Sequence, residues 1–206
     1  GLVWIKKRDD IDNHFLTDTV RGARKTLRAN TTGAQTTDND ALTAFTSSGF
    51  TVKDDSSVNQ NNKTFASWTF RKAPKFFDVV QYTGGSTQPE TYSHGLKQTP
   101  GMILFKKTSG AEDWWVWHRS GGGIGYAGNL NTTGAFFNAG TVVTAVSDTT
   151  FSVNYTVNGN GDSYVAYLFA HNDDDGTFGP DGDQDIISCG SLVSGTVQDI
   201  NLGWEP

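Results

Sequence analysis

An internal repeat with a period close to 100 residues constrains the fold of this chain more than any other feature. Residues 2–7 (LVWIKK) align with residues 102–107 (MILFKK), and NTTGA at residues 30–34 recurs at residues 131–135. Self-similarity at a fixed period is the signature of repeated structural units. The sequence therefore predicts two homologous units in tandem.

Two further blocks set the predicted boundaries of these units. Residues 58–70 match residues 157–169, and residues 77–85 (FDVVQYTGG) resemble residues 184–191 (QDIISCGS). The chain begins with Gly1 and ends with Pro206, and the same Pro–Gly step occurs between the two units at residues 100–101. This shared position in the repeat favours a fragment of a longer array over a closed ring of two units. We predict a first unit at residues 1–76, which lacks its leading strands, and a second unit at residues 77–175. Residues 176–206 are predicted to form a linker and the leading strands of a further unit, or strands that close onto the first unit.

The composition favours strands over helices. Aromatic residues make up 12% of the chain and glycine occurs 24 times, whereas glutamate, a good helix former, occurs only at Glu90, Glu112 and Glu205. In residues 65–70 and 164–169, alternate side chains take opposite faces of a strand. About six or seven short strands per unit predict an all-β fold of two tandem β-sandwich units, of lectin or jelly-roll type.

Charge and hydropathy exclude two classes of partner. The formal net charge is −6, and no stripe of basic residues is available to neutralise phosphates, so we predict no nucleic-acid binding. No apolar run approaches the ~18–20 residues that cross a bilayer, so we predict no membrane insertion. The single cysteine, Cys189, permits neither an intrachain disulfide nor a cysteine-based zinc site.

Catalytic motifs are absent from the sequence. Glycosidases on lectin-like folds use paired carboxylates, but the three glutamates are isolated from acidic partners at strand spacing. The four histidines show no spacing typical of a metalloprotease. We therefore predict that the chain is not an enzyme.

The aromatic stretch at residues 112–123 (EDWWVWHRSGGG) is the best candidate for a binding site. The aligned positions of the first unit carry His14 and Thr17 in place of Trp114 and Trp117, so the fold does not require these two indoles. Packing in the core or against the neighbouring unit is the favoured interpretation of both tryptophans. The alternative is exposure, since exposed tryptophans stack on sugar rings or anchor protein interfaces. That alternative defines a candidate ligand site made of Trp114, Trp117, His118 and Arg119.

An aspartate-rich stretch at residues 171–185 follows the second unit. A solvated linker rich in turns is its favoured interpretation. The weaker alternative is a calcium site, because carboxylate oxygens are the ligands that Ca²⁺ prefers, although the spacing of an EF-hand loop is not kept. The candidate ligands are Asp173, Asp175, Asp181 and Asp183. We predict no other cofactor.

The repeated blocks, together with DWWVWHR (113–119) and GDSYVAYLFA (161–170), resemble a tandem-repeat domain of unknown function. This domain is found in predicted structural and tail proteins of marine tailed phages, cyanophages among them. The resemblance extends over nearly the whole chain and implies a structural or adhesive protein of a tail fibre or particle surface, located in the virion or outside the cell. Its implied partners are other copies of itself, neighbouring virion proteins and host-surface glycans. It supplies no catalytic residues.

Two other functions are alternatives at this stage. The first is a self-assembling extracellular filament or surface-layer protein, in which residues 185–204 are donated as strands to residues 1–72 of the same or a neighbouring chain. The second is a carbohydrate-active enzyme, which the missing pair of carboxylates disfavours.

Overall fold

The computed structural model describes residues 1–140, 142–171, 185–192 and 202. Strands account for 41% of these residues and helices for 4%, which confirms the all-β class. In this part of the chain, no helix has the length and apolar character needed to cross a membrane.

The first set of strands covers the N-terminal third of the chain. Five of its strands form one antiparallel sheet in the order β4-β3-β2-β1-β7, and β5 and β6 form a separate hairpin. A single helical turn, α1 (Ser56–Asn59), is capped by the carboxylate of Asp55, which accepts a hydrogen bond from the Ser57 amide at 2.7 Å. The strands are β1 (Leu2–Lys7), β2 (His14–Asp18), β3 (Lys25–Arg28), β4 (Thr36–Thr37), β5 (Leu42–Phe45), β6 (Phe50–Val52) and β7 (Phe65–Phe70).

The second set contains the remaining strands. Six of them form a sheet in the order β13-β12-β11-β10-β16-β8, and three form a smaller sheet in the order β14-β15-β9. A 3₁₀-helix spans Tyr155–Val157. The strands are β8 (Phe77–Thr83), β9 (Glu90–Ser93), β10 (Met102–Lys107), β11 (Trp115–His118), β12 (Tyr126–Asn129), β13 (Phe137–Asn138), β14 (Val143–Val146), β15 (Thr150–Val153) and β16 (Ser163–Phe169).

The seven strands of the first set recur in the same order of pairing in β10–β16. Leu2 opposes Asp18 in the first set, and Met102 opposes His118 in the second. The hairpins β5–β6 and β14–β15 each carry an irregularity between their first two pairs. Strands β8 and β9 extend the second set, β8 beside β16 and β9 beside β15.

Three apolar clusters fill the space between the sheets. The N-terminal core lies between the five-stranded sheet and β5–β6, the C-terminal core lies between the six-stranded and three-stranded sheets, and the central core lies between the two large sheets. The N-terminal core contains Val3, Ile5, Phe15, Ala41, Leu42 and Val58. The C-terminal core includes Ile103, Phe105, Trp117, Phe151, Val153, Tyr164, Ala166 and Leu168. The central core contains Leu2, Leu16, Leu27, Ala29, Phe77, Val79, Leu104, Trp114, Val116, Val165, Tyr167 and Phe169.

Both large sheets bury side chains on two faces. In β16, Ala166 and Leu168 lie in the C-terminal core, whereas Tyr167 and Phe169 lie in the central core. The alternation predicted for residues 164–169 is therefore confirmed. Since strands expose alternate side chains on opposite faces, each large sheet packs against a smaller sheet on one face and against the other large sheet on its opposite face.

The described part of the C-terminal segment corrects one prediction. Residues 185–192 form no strand. The Cys189 amide donates to His171 Nδ1 at 2.9 Å, and its thiol contacts the Ala170 carbonyl at the end of β16. The strands predicted there are thus not found at residues 185–192, where Cys189 instead contacts the end of β16. The remainder of the predicted donor lies outside the described residues, apart from residue 202.

Candidate functional site

The structure buries Trp114 at the junction between the two large sheets. Its side chain is 0% exposed and stacks on Tyr167 with ring centroids 6.2 Å apart. The indole Nε1 donates a hydrogen bond to the Arg28 carbonyl in the other strand set at 2.9 Å. The hypothesis that Trp114 is exposed for ligand binding is therefore wrong, and packing against the neighbouring set is what the structure shows.

Trp117 is buried on the opposite face of the same sheet. It belongs to the C-terminal core with 3% of its surface exposed, and its indole donates to the Gly123 carbonyl at 3.3 Å. Its predicted exposure is also wrong. Since Trp114 and Trp117 face different cores, they cannot stack on the same ligand.

Two of the four predicted site residues meet in a cleft of about 570 Å³ at one end of the second set. The edge of Trp117 and the exposed Arg119 line this cleft, together with Asp148 and His171. The Arg119 amide donates to the Gly101 carbonyl at 2.8 Å, and Asp148 accepts a hydrogen bond from the Thr99 hydroxyl at 2.7 Å. Charged groups of both signs beside an aromatic edge are what a polar ligand such as a sugar requires.

His118 lies beside this cleft rather than in its lining. Burial, and then the positive charges of Arg119 and His171, lower the pKa of His118 below its ordinary value. Its Nδ1 accepts a hydrogen bond from the Ser120 amide at 3.1 Å, as a neutral imidazole can. His118 therefore fixes the turn that carries Arg119.

A buried ion pair of the first set contacts the second set at the junction. Asp18 and Arg21 are joined by a 2.5 Å bond between Nε and Oδ2, and their side chains are 0% and 1% exposed. The Tyr167 hydroxyl donates to Asp18 at 2.8 Å and accepts from Arg21 at 3.0 Å. Such a pair is stabilising only when its remaining hydrogen-bonding groups are satisfied, and Arg21 also donates to the Leu16 carbonyl and to Gln35. Sequence reasoning missed these contacts, because Tyr167 lies far from both partners along the chain.

A buried lysine makes a second polar contact across the junction. The Lys106 ammonium donates to the carbonyls of Thr32, Lys107 and Glu112 at 3.1, 3.0 and 2.9 Å. The Glu112 amide also donates to the Thr32 carbonyl at 2.9 Å. Burial lowers the pKa of Lys106 to about 8, against the opposing charges of Glu112 and Asp113. The repeated KK and NTTGA motifs, which hold Lys106 and Thr32, were the sequence signal for this contact.

An exposed aromatic patch lies on the five-stranded sheet. Trp4, His14, Trp68 and Phe70 line an apolar pocket of about 200 Å³, and Trp68 is 49% exposed. The Trp4 indole donates to His14 Nδ1 at 3.0 Å. Burial, and then the nearby Lys6, lower the pKa of His14, which is consistent with a neutral ring that accepts this bond. Trp68, which was not among the predicted site residues, is thus an exposed tryptophan of the structure.

The described residues contain no cluster of three metal-ligating side chains. The four candidate calcium ligands, Asp173, Asp175, Asp181 and Asp183, lie outside those residues.

Comparison with protein-family models decides the membership of the chain. Residues 1–180 match the family described as "Domain of unknown function (DUF7483)". The chain belongs to the DUF7483 family. No match is found among curated proteins or among solved structures.

Proposed function

We propose that this chain is a structural and adhesive protein built from two homologous β-sandwich units, which functions through assembly and binding surfaces. In this proposal the first unit comprises β1–β7, and the second comprises β8–β16. The repeated order and register of the strands support the homology of the units. The resemblance to marine phage structural proteins supports a place on a tail fibre or particle surface.

The fused junction between the units is the observation that carries the structural role. Independent domains joined by a linker meet through modest, polar interfaces, whereas these units share the central core and the buried Asp18–Arg21–Tyr167 contact. Tandem units locked in this way form a rigid segment that transmits force without bending at a hinge. Rigidity of this kind suits a fibre better than it suits a string of independent domains.

Chemical denaturation tests the rigid segment. Because the chain has six tryptophans, the difference in fluorescence between the unmodified chain and Trp114→Phe gives the Trp114 signal, which reports the junction. Circular dichroism reports all the strands together. We expect both signals to change in one transition with the same midpoint, because neither unit retains its buried face alone. Two transitions, with the Trp114 signal lost first, would show that the units are independent domains and would contradict the structural proposal.

Immunogold electron microscopy tests the location. Antibodies against this chain should label intact particles of the phage that encodes it. Particles that carry no label on any surface, under conditions in which the purified chain is labelled, would contradict the virion role.

Glycan binding at the cleft beside Trp117 is a second candidate function. Arg119, Asp148 and His171 surround the aromatic edge and supply donors and acceptors for sugar hydroxyls. We expect Arg119→Ala to weaken binding to a printed array of bacterial surface polysaccharides at least about tenfold, since hydrogen bonds to charged groups contribute about 1.5–3 kcal/mol. Arg24→Ala, an exposed arginine of the first unit, is the matched control. Equal binding by both variants would contradict a glycan site in this cleft.

A further inference from the structure

The junction inside the chain joins two different surfaces. The Trp114 indole of the second unit donates to the Arg28 carbonyl of the first, and the Gln35 amide of the first donates to the Thr108 carbonyl of the second at 3.2 Å. We call the surface that the first unit contributes the receiving face: Asp18, Arg21, Arg28, Ala29, Thr32 and Gln35. We call the surface that the second unit contributes the inserting face: Lys106, Thr108, Trp114 and Tyr167.

The first unit carries its own copy of the inserting face, and this copy is uncovered. By alignment and strand register, its residues are Lys6, Arg8, His14 and Trp68. Tyr167 is fully buried, whereas the aligned Trp68 is 49% exposed. Trp114 is likewise buried, whereas the aligned His14 is only partly covered. Two residues of this second inserting face, His14 and Trp68, line the pocket of about 200 Å³ described above.

The second unit carries a copy of the receiving face, and this copy is also uncovered. By alignment its residues are His118, Gly121, Asn129, Leu130, Thr133 and Phe136. Leu130 is 37% exposed, whereas the aligned Ala29 is 3% exposed. Phe136 is 40% exposed and lies flat over two glycines, where a Cβ at Gly121 or Gly128 would be 2.7 or 2.9 Å from its ring.

The exposure of both copies fixes the symmetry of the junction. In a two-fold junction the first unit's inserting face would cover the second unit's receiving face, and Trp68 and Phe136 would both be buried. Since both are exposed, the contact is heterologous. A heterologous contact leaves one free surface of each kind, and repetition of such a contact builds open filaments or rings.

The hydrogen bonds of Lys106 and Lys6 show which carbonyl acceptor a second copy of the chain would supply. Lys106 donates to three carbonyls, and the third, at Thr32, belongs to the other unit. The aligned Lys6 donates to two, at Lys7 and Asp10, at 2.6 and 3.4 Å. The carbonyl aligned with that of Thr32 belongs to Thr133 in the repeated NTTGA motif.

We propose that a second copy of this chain docks its free inserting face, around Trp68 and His14, on the free receiving face around Leu130 and Phe136. The chains then associate head to tail through a repetition of the junction already present within each chain. The proposal rests on the homology of the two units. It does not require strands to be exchanged between chains, because both surfaces are faces of sheets whose strands pair within the chain.

Mixing of two variants tests this proposal. Trp68→Lys disables the free inserting face, and Phe136→Lys disables the free receiving face. We expect analytical ultracentrifugation to show oligomers of the unmodified chain, monomers of each variant alone, and a dimer in the equimolar mixture. Central aromatic residues dominate protein interfaces, so each substitution should weaken self-association at least about thirtyfold. Circular dichroism establishes that both variants fold, as expected for two exposed side chains.

Phe137→Lys is the matched control. Phe137 is 46% exposed on the strand that follows Phe136, but its ring packs edge-on against Trp115 at 6.0 Å, on the other side of the sheet. This variant should oligomerise as the unmodified chain does. A chain that stays monomeric up to about 1 mM, where a contact of about 4 kcal/mol would be half occupied, would overturn the proposal. A mixture that behaves like its separate components would overturn it too. Neither result changes how the monomer unfolds in denaturant. A failure of the docking proposal is therefore distinguishable from a failure of the proposed rigid segment of two units.

Discussion

Strands β7 and β16 align in sequence and differ in their surroundings. Strand β16 lies between β10 and β8, and every residue from Tyr164 to Phe169 is buried. Within the described residues β7 pairs with β1 alone, and its central residues, 67–69, are exposed. Both strands alternate aromatic and small side chains. Burial here is therefore decided by the neighbouring strands and the opposing unit, and the alternation within the strand decides only which face a side chain takes.

The polar contacts of the two units differ in the same way. In the first unit Asp18 and Arg21 form a buried ion pair with Tyr167 of the second. The aligned positions of the second unit hold His118 and Gly121, and Phe136 lies over the glycine. The covered receiving face contains the Asp18–Arg21 ion pair, whereas the ring of Phe136 occupies the aligned part of the free receiving face.

Removal of the Arg21 charge should produce the largest loss of stability. Arg21→Met leaves the Asp18 carboxylate buried without a cation, which typically costs about 3–5 kcal/mol. Urea denaturation followed by tryptophan fluorescence measures the loss. Lys25→Met is the control, because Lys25 bonds only the Thr37 hydroxyl at a more open position, and surface changes stay within about 0.5 kcal/mol. Equal losses in the two variants would show that the junction is not the stabilising contact.

An exchange of aligned residues sharpens the contrast between the two inserting faces. Trp114→His should cost about 2–4 kcal/mol, because it removes buried aromatic carbon and leaves a cavity against Tyr167. His14→Trp should change stability by less than about 1 kcal/mol, because the site is partly open. Thermal unfolding of both variants measures the difference. Similar losses would mean that the two faces are equally packed in solution.

The sequence predicted the class of fold and the faces of its strands, but not the way the units meet. Alternation in residues 164–169 was sufficient to assign Tyr164 and Tyr167 to opposite faces, because the period of a strand is two. The burial of Trp114 could not be derived in this way, since it depends on contact with Arg28 from the other unit. The aligned His14 does not show that the Trp114 indole is dispensable. It instead reflects an asymmetric junction, in which aligned residues have different neighbours.

Removal of the Tyr167 hydroxyl should lower the free energy of unfolding by less than either Arg21→Met or Trp114→His. Tyr167→Phe removes a donor to Asp18 and an acceptor for Arg21 but leaves the ring in the central core. Loss of a partner for buried polar groups typically costs about 1–3 kcal/mol, and here the two charges still bond each other, so we expect the lower half of that range. Trp68→Phe, at the aligned exposed position, should cost less than about 0.5 kcal/mol. Chemical denaturation of the two variants side by side would reveal any reversal of this order.

The smallest expected effect is a dependence of stability on alkaline pH that comes from Lys106. Burial lowers its pKa to about 8 in the folded chain, from an ordinary value of 10.5. Between these values the unfolded chain binds more protons than the folded one, so stability rises with pH in this window. Below about pH 8 both states are protonated and the contribution is constant. Because three carbonyls also stabilise the ammonium, we expect a rise of about 1 kcal/mol between about pH 8 and about pH 9.5.

Lysine-to-methionine variants isolate this contribution. Lys106→Met should be insensitive to pH over the same window, whereas Lys6→Met, at the aligned and more open position, should keep the rise. The window ends below pH 10 because burial raises the pKa values of Tyr82 and Tyr167. Ionisation of these tyrosines in the unfolded chain then lowers stability as the pH increases further. A rise that persists in Lys106→Met would assign the effect to another group. A rise that is halved in both variants would mean that the two lysines have the same surroundings in solution, as they would if a second chain covered Lys6 as the first unit covers Lys106.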